Sequence, residues 1–302
     1  MPDLKKIVII GLVSLNTLSA DVVSLVPYLG AIKYDNSLTK SLKDSGSFIG
    51  VQASVNDNEY LLETAYSYKN ISYKDSLNIQ NLKQHDLSLM ITSKCSAYSL
   101  KIGAHYINSN EVNSFKDLGT GYIGIAGLEG SNLFDKDKLT YGVEAYYSVY
   151  PDAHNETTTA ATQFIDIVQF SPYLGYSMVL SSRLRNDAVF KVNAIASTQY
   201  KDPGYLSYDF KDTVVYGNLY AILKVFGGEM KSGVKEGGFD VYNTKDLYTG
   251  SYEIKAGYYL APTLAVDFSY AVNYYQEYNA ATLKLSPEGY NSVGVVMLSY
   301  GY

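Results

Sequence analysis

The chain has one cysteine, Cys95, and no tryptophan in 302 residues. A lone cysteine excludes a disulfide framework and any metal site built from cysteines alone. No apolar run reaches the roughly 18 residues that a membrane-spanning helix needs. Charge is sparse as well: 18% of residues are charged, against roughly 25% in ordinary domains. The balance is acidic, at −6, which removes the basic footprint of a nucleic-acid-binding protein. Low charge beside a 47% apolar fraction also excludes a disordered chain. Gly227-Gly228 and Gly237-Gly238 lead into no Lys-Ser/Thr helix start, so they read as close-packed positions and not as phosphate loops. Asp35, Asp117, Asp135, Asp152, Asp240 and Asp246 form no spaced calcium loop and read as solvated surface. No cofactor and no metal is expected.

What the chain has in excess is tyrosine, 32 residues beside 24 glycines. Its first twenty residues are an address. Lys5 and Lys6 precede an apolar core from Ile7 to Leu15, and a small-residue tail ends at Ala20, as in a secretory signal peptide. Residues 1–20 are read as that signal and 21–302 as one domain that works outside the cytoplasm.

After residue 21, apolar residues recur at period two and not at helical spacing. Tyr252, Ile254, Ala256, Tyr258 and Leu260 alternate with Ser251, Glu253, Lys255, Gly257 and Tyr259; Ala261-Pro262-Thr263 turns the chain, and Leu264, Val266, Phe268 and Tyr270 follow with matched parity. About fourteen such segments are expected, with twelve or sixteen as the alternatives. The tenth and eleventh depend on a tight turn at Gly217-Asn218. Most segments are longer than the five or six residues usual in soluble sheets and match a tilted strand crossing a hydrocarbon layer. Short turns alternate with long polar links. The fold class is therefore all-β: a single transmembrane, antiparallel, up-and-down barrel, whose closure leaves no backbone group unpaired in the bilayer.

Parity sorts the side chains. Many tyrosines, among them Tyr28, Tyr34, Tyr106, Tyr122 and Tyr147, fall on the oily parity and suit interfacial girdles. Tyr146, Tyr150, Tyr173, Tyr259 and Tyr275 fall inward. So do Glu63, Asp86, Lys101, His105, Glu144, Lys191, Glu253, Lys255, Asp267 and Asn273, the candidates for lining a lumen and setting its selectivity. Burying such charges unpaired is costly, so a water-filled lumen is expected, narrow at fourteen strands. A two-residue turn at Lys94-Cys95 would set His105 opposite Gln84 and Asp86 opposite Gly103, making Asp86 and His105 diagonal neighbours. His85 faces outward. Ser88 and Ser99 are the inward serines nearest His105, but no motif marks either as a nucleophile. An enzyme is not expected.

The last segment, Gly294-Val295-Val296-Met297-Leu298-Ser299-Tyr300-Gly301-Tyr302, ends in an aromatic with apolar residues at alternate positions before it. It resembles the terminal assembly signal of Gram-negative outer-membrane β-barrels, with Val296, Leu298, Tyr300 and Tyr302 in the matching places. Val293, Val295 and Met297 depart from the pattern by putting apolar groups on the lumen side. The resemblance implies a bacterial outer-membrane location and three partners: membrane lipid with lipopolysaccharide, the barrel-assembly machinery, and small solutes. A homo-oligomer is compatible with it. The function expected is a porin-like channel for passive diffusion of small hydrophilic solutes. The alternative is a non-conducting structural or adhesin-type barrel that works through its surface loops.

Overall fold

The computed structural model describes residues 22–74, 80–110, 119–131, 138–154, 162–197, 204–279 and 284–301. The proposed signal peptide, Asp117, Asp135 and Tyr302 lie outside them. Fourteen long strands close an antiparallel barrel. In chain order they are β1 Val22–Tyr34, β2 Lys43–Asn56, β3 Tyr60–Tyr73, β4 Leu82–Lys94, β5 Tyr98–Ser109, β6 Gly121–Ser131, β7 Leu139–His154, β8 Thr162–Ser181, β9 Leu184–Ser197, β10 Tyr205–Tyr216, β11 Leu219–Lys231, β14 Leu247–Ala261, β15 Leu264–Gln276 and β18 Gly289–Gly301. Two miniature hairpins sit in the long loops: β12 Val234–Lys235 with β13 Asp240–Val241, and β16 Tyr278–Asn279 with β17 Lys284–Leu285. Each long strand pairs with its sequence neighbour, and β1 closes on β18.

The turns at one end are tight. At 57–59, the Asp57 carboxylate accepts the backbone N–H groups of Glu59 and Tyr60 at 2.8 and 2.6 Å. Those bonds hold the carboxyl below its ordinary range. Gly217, at φ +57°, closes the β10–β11 hairpin beside Asn218, where a left-handed conformation is needed. The β8–β9 connection is a two-residue turn at 182–183, so β9 starts at Leu184, earlier than the sequence pattern gives. The opposite end carries the long loops.

Parity along the strands gives an oily outside. Leu29, Ile49, Ile102, Tyr122, Tyr147, Phe170 and Phe268 are all about half-exposed or more. Tyr28 and Tyr34 correct the sequence reading: they point inward, Tyr28 into the lumen and Tyr34 into a buried cluster. Both faces of β1 are apolar, Leu25, Pro27 and Leu29 on one and Val26, Tyr28 and Ile32 on the other, so alternation alone does not say which faces lipid. The β4–β5 turn is likewise centred two residues later than expected, with Lys94 opposite Ser99. That places Ser88 opposite His105 and Ile107 opposite Asp86. Moving the turn by two residues moves each cross-strand partner by four, an even number that preserves parity, so Asp86 and His105 remain diagonal neighbours.

Tyrosine and glycine are used together. Tyr28 stands directly across from Gly50, Tyr173 from Gly142 and Tyr220 from Gly257. A methyl group at Gly50 would lie 2.4 Å from the Tyr28 ring, and one at Gly142 2.3 Å from the Tyr173 ring. The rings lie flat on the wall because the partner strand has no side chain there. The same pairing recurs outside, with Tyr141 over Gly130 and Tyr208 over Gly227.

Candidate functional site: a plugged lumen

The link between β11 and β14 does not extend away from the barrel; it turns back into it. A bulge separates Gly227 from Met230, Gly228 takes φ +94°, and Ser232 takes φ +54°. The chain then runs down β12, through a 3-10 turn at Glu236–Gly238, and back along β13. Glu236, Gly237 and Gly238 have φ of +49°, +67° and +108°. Glycine is required at the tip for space as well, since a methyl group at Gly238 would meet the Ile125 side chain at 2.3 Å.

The wall grips this plug by several means. The buried Gln169 amide donates to the Val234 carbonyl and accepts the Val234 N–H, both at 2.8 Å, so a side chain replaces a neighbouring strand. His105 Nδ1 lies 2.8 Å from the Gly238 carbonyl, which can only accept, so Nδ1 carries the hydrogen. His105 Nε2 lies 3.3 Å from Asp86. Lys224 reaches Glu236 at 2.8 Å, and Lys235 lies 3.5 Å from Asp209 and over the Phe226 ring. Burial alone would raise the Glu236 pKa, but the ammonium of Lys224, aided by Lys211 and Lys191, overcomes this and leaves the carboxyl below its ordinary range. Val234 and Val241 join a buried cluster with Met90, Ile107, Ile125, Ile167 and Phe226.

The base of the plug is fastened at the rim. Lys43 pairs with Asp246 at 2.5 Å, both nearly inaccessible, between the rings of Tyr34 and Tyr275. Glu277 accepts from the Ser41 hydroxyl at 2.8 Å and the Leu42 N–H at 3.1 Å. Burial and the nearby Asp246 push the Glu277 pKa up, only partly opposed by Lys43. The sequence reading of Asp35 and Asp246 as solvated surface is therefore wrong. Asp35 is buried beside Lys40, and Asp240 lines the lumen.

Across from the plug, a cavity of about 910 Å³ remains. One of its walls is apolar: Val26, Tyr28, Phe48, Val293, Val295 and Met297, contiguous across β18, β1 and β2. The other carries Lys101, Glu144, Lys191, Lys224 and Glu253, together with Glu236 of the plug.

Solved structures of the same architecture include the CymD monoaromatic hydrocarbon channel, 11% identical over 95% of this chain and 90% of that one, with a TM-score of 0.55. A FadL homologue of Pseudomonas aeruginosa (10% identical, 94% and 90% covered, TM-score 0.51) and the Pseudomonas putida toluene transporter TodX (8%, 94% and 89%, 0.50) match similarly. The fold is that of outer-membrane channel barrels. No protein-family model and no curated protein sequence matches the chain.

Within this barrel the ten inward residues read from the sequence fall into groups. Glu144 is held by Lys101 at 2.8 Å, Lys191 at 2.6 Å and the Tyr146 hydroxyl at 2.6 Å. Asp86 takes His105 and the Gln84 amide. Glu253 lies 3.1 Å from Lys224, Lys255 lies 3.6 Å from Asp267, and the Asn273 amide donates to Asn291 at 2.8 Å. Glu63 lines the cavity near Lys101. The lumen is thus not simply water-filled, as the charges had suggested: pairing lets them coexist with packing. Both ring nitrogens of His105 are engaged, one by the plug and one by Asp86, and neither contacts Ser88 or Ser99. The plug itself was missed, along with Gln169 and the Lys43–Asp246 pair. The signal was present in Ile107, Ile123, Ile125, Ile165 and Ile167, apolar residues on the inward parity that need a cover.

Proposed function

We propose that the protein is an outer-membrane channel through which small solutes diffuse passively along the cavity between the plug and the apolar wall. The carrying observation is that cavity: a barrel serving only as structure has no need to leave about 910 Å³ open beside a well-fastened plug. The wall of Val26, Tyr28, Phe48, Val293, Val295 and Met297 favours solutes with an apolar part over strictly hydrophilic ones. CymD and TodX, described as a hydrocarbon channel and a toluene transporter, are companions to that preference. The charged wall, Glu63 and Asp86 included, then sets selectivity. Val296, Leu298 and Tyr300 lie on the outer face of β18, about 45% exposed. That placement supports recognition of this strand by the assembly machinery and residence in the outer membrane after removal of residues 1–20.

Planar-bilayer recording tests the reading. Wild-type protein should give small, intermittent conductance, and a variant with 232–246 replaced by a short Gly-Ser linker should give large, steady conductance. A folded, plug-free barrel that stays silent would establish the competing non-conducting barrel.

A further inference from the structure

The outward face of β4 to β7 carries an indentation of about 430 Å³. Its floor is made by residues with almost no side chain. Ala104 of β5 stands opposite Gly124 of β6, and Gly124 opposite Tyr147 of β7. A methyl group at Gly124 would meet only the Tyr147 carbonyl oxygen, at 4.0 Å, so the space above it is open. Leu87 and Leu89 wall it on one side, Tyr147 and Val149 on the other. Tyr106 and Tyr122, directly paired with ring centroids 5.3 Å apart, stand at its upper end, toward the long loops.

Above the leucines, on the same face of β4, come His85 and then Lys83. The outward residues of this strand thus read ammonium, imidazole, leucine, leucine from rim to middle. Lys83 is exposed, and its ammonium forms no ion pair among the described residues. His85 is held by the Tyr66 hydroxyl at 2.8 Å from Nδ1 and by the Tyr68 ring at 4.9 Å. When that hydroxyl donates to Nδ1, the ring hydrogen sits on Nε2, which has no hydrogen-bond partner among the described residues. A fixed imidazole and a free ammonium about one strand repeat apart form an anion site at headgroup level. The apolar trough begins directly beneath.

We propose that this face seats one outer-leaflet lipid of lipopolysaccharide type, its phosphate at Lys83 and His85 and one saturated acyl chain in the trough over Ala104 and Gly124. Charge complementarity at the rim and continuity with the hydrocarbon-facing band choose this occupant over a second protein. The proposal rests on the outer-membrane location proposed above.

Native mass spectrometry of protein refolded in mixed micelles tests it, with bis-phosphorylated lipid A, dephosphorylated lipid A and phosphatidylethanolamine as probes. Wild type should retain one bis-phosphorylated lipid A at least about tenfold more tightly than phosphatidylethanolamine. Lys83→Ala should erase the preference for the phosphorylated form. Gly124→Leu, which fills open space, should lose the adduct while channel conductance stays the same. Retention of lipid A by both variants at the wild-type level overturns the site, and so does equal binding of the three lipids to wild type. A barrel that inserts into vesicles without lipid preference sinks this site alone, whereas one that fails to insert sinks the membrane reading beneath it.

Discussion

The two halves of the barrel wall solve one problem differently. Among the inward residues of β4 to β9 is a set of isoleucines that the plug covers: Ile107, Ile123, Ile125, Ile165, Ile167 and Ile195 are at most 4% exposed. On β18, β1 and β2 there are inward apolar residues too, yet Val293, Val295, Met297 and Phe48 face the open cavity and are only half-buried. Residue type is shared, and the cover is not. An inward apolar side chain in a barrel therefore does not by itself say whether the protein's own loop covers it or an open cavity faces it.

Several experiments would break or sharpen this contrast. Replacing 232–246 has the largest expected effect, because it removes the cover from the first half and should make both halves conduct alike. Next comes truncation on each side, followed by urea unfolding in vesicles. Ile167→Ala should cost about 2–5 kcal/mol, as for a packed core residue, and Val295→Ala under about 1 kcal/mol. Equal costs would erase the distinction between a packed half and an open one. Gln169→Ala leaves the buried N–H and carbonyl of Val234 without their partner, which should weaken plug docking by about 1–3 kcal/mol. The reading is a higher open probability with the barrel intact. Acid should act most gently. Glu236 is held below its ordinary value, so its contribution is complete above about pH 4.3 and fades as pH falls through the lower folded-state value. Openings should increase there in wild type, and Glu236→Gln should show more frequent openings at neutral pH and no further acid response.

The barrel was readable because its signals are local. The Gly217-Asn218 turn, the alternation in β14 and β15, and the long-short loop rhythm each need only a few adjacent residues, and the fourteen-strand count followed from them. Strand β1 was misread because two apolar faces carry no parity information, and the β4–β5 register because Lys94-Cys95 and Ser96-Ala97 serve equally as hairpin tips. The site was legible only in part. Inward charges could be named from parity, and the Asp86–His105 contact survived a register error of four residues. Their partners could not: Lys224 meets Glu236, and Lys43 meets Asp246, across stretches of chain that no alternation pattern connects. The plug is written in residues 232–246 as a glycine-rich loop with Val234, Phe239, Val241 and Tyr242, and its destination depends on the isoleucines of strands far away in sequence.

The flat rings over glycines carry a consequence for how such a chain can vary. At Tyr28 and Gly50, or Tyr173 and Gly142, neither member can drift alone: a methyl group arriving at the glycine displaces the ring, and loss of the ring bares backbone on the opposite strand. Each pair is inherited as one character written in two places. The abundance of tyrosine and the abundance of glycine are in this respect a single property of the chain, and descendants of this barrel should gain or lose the two residues together.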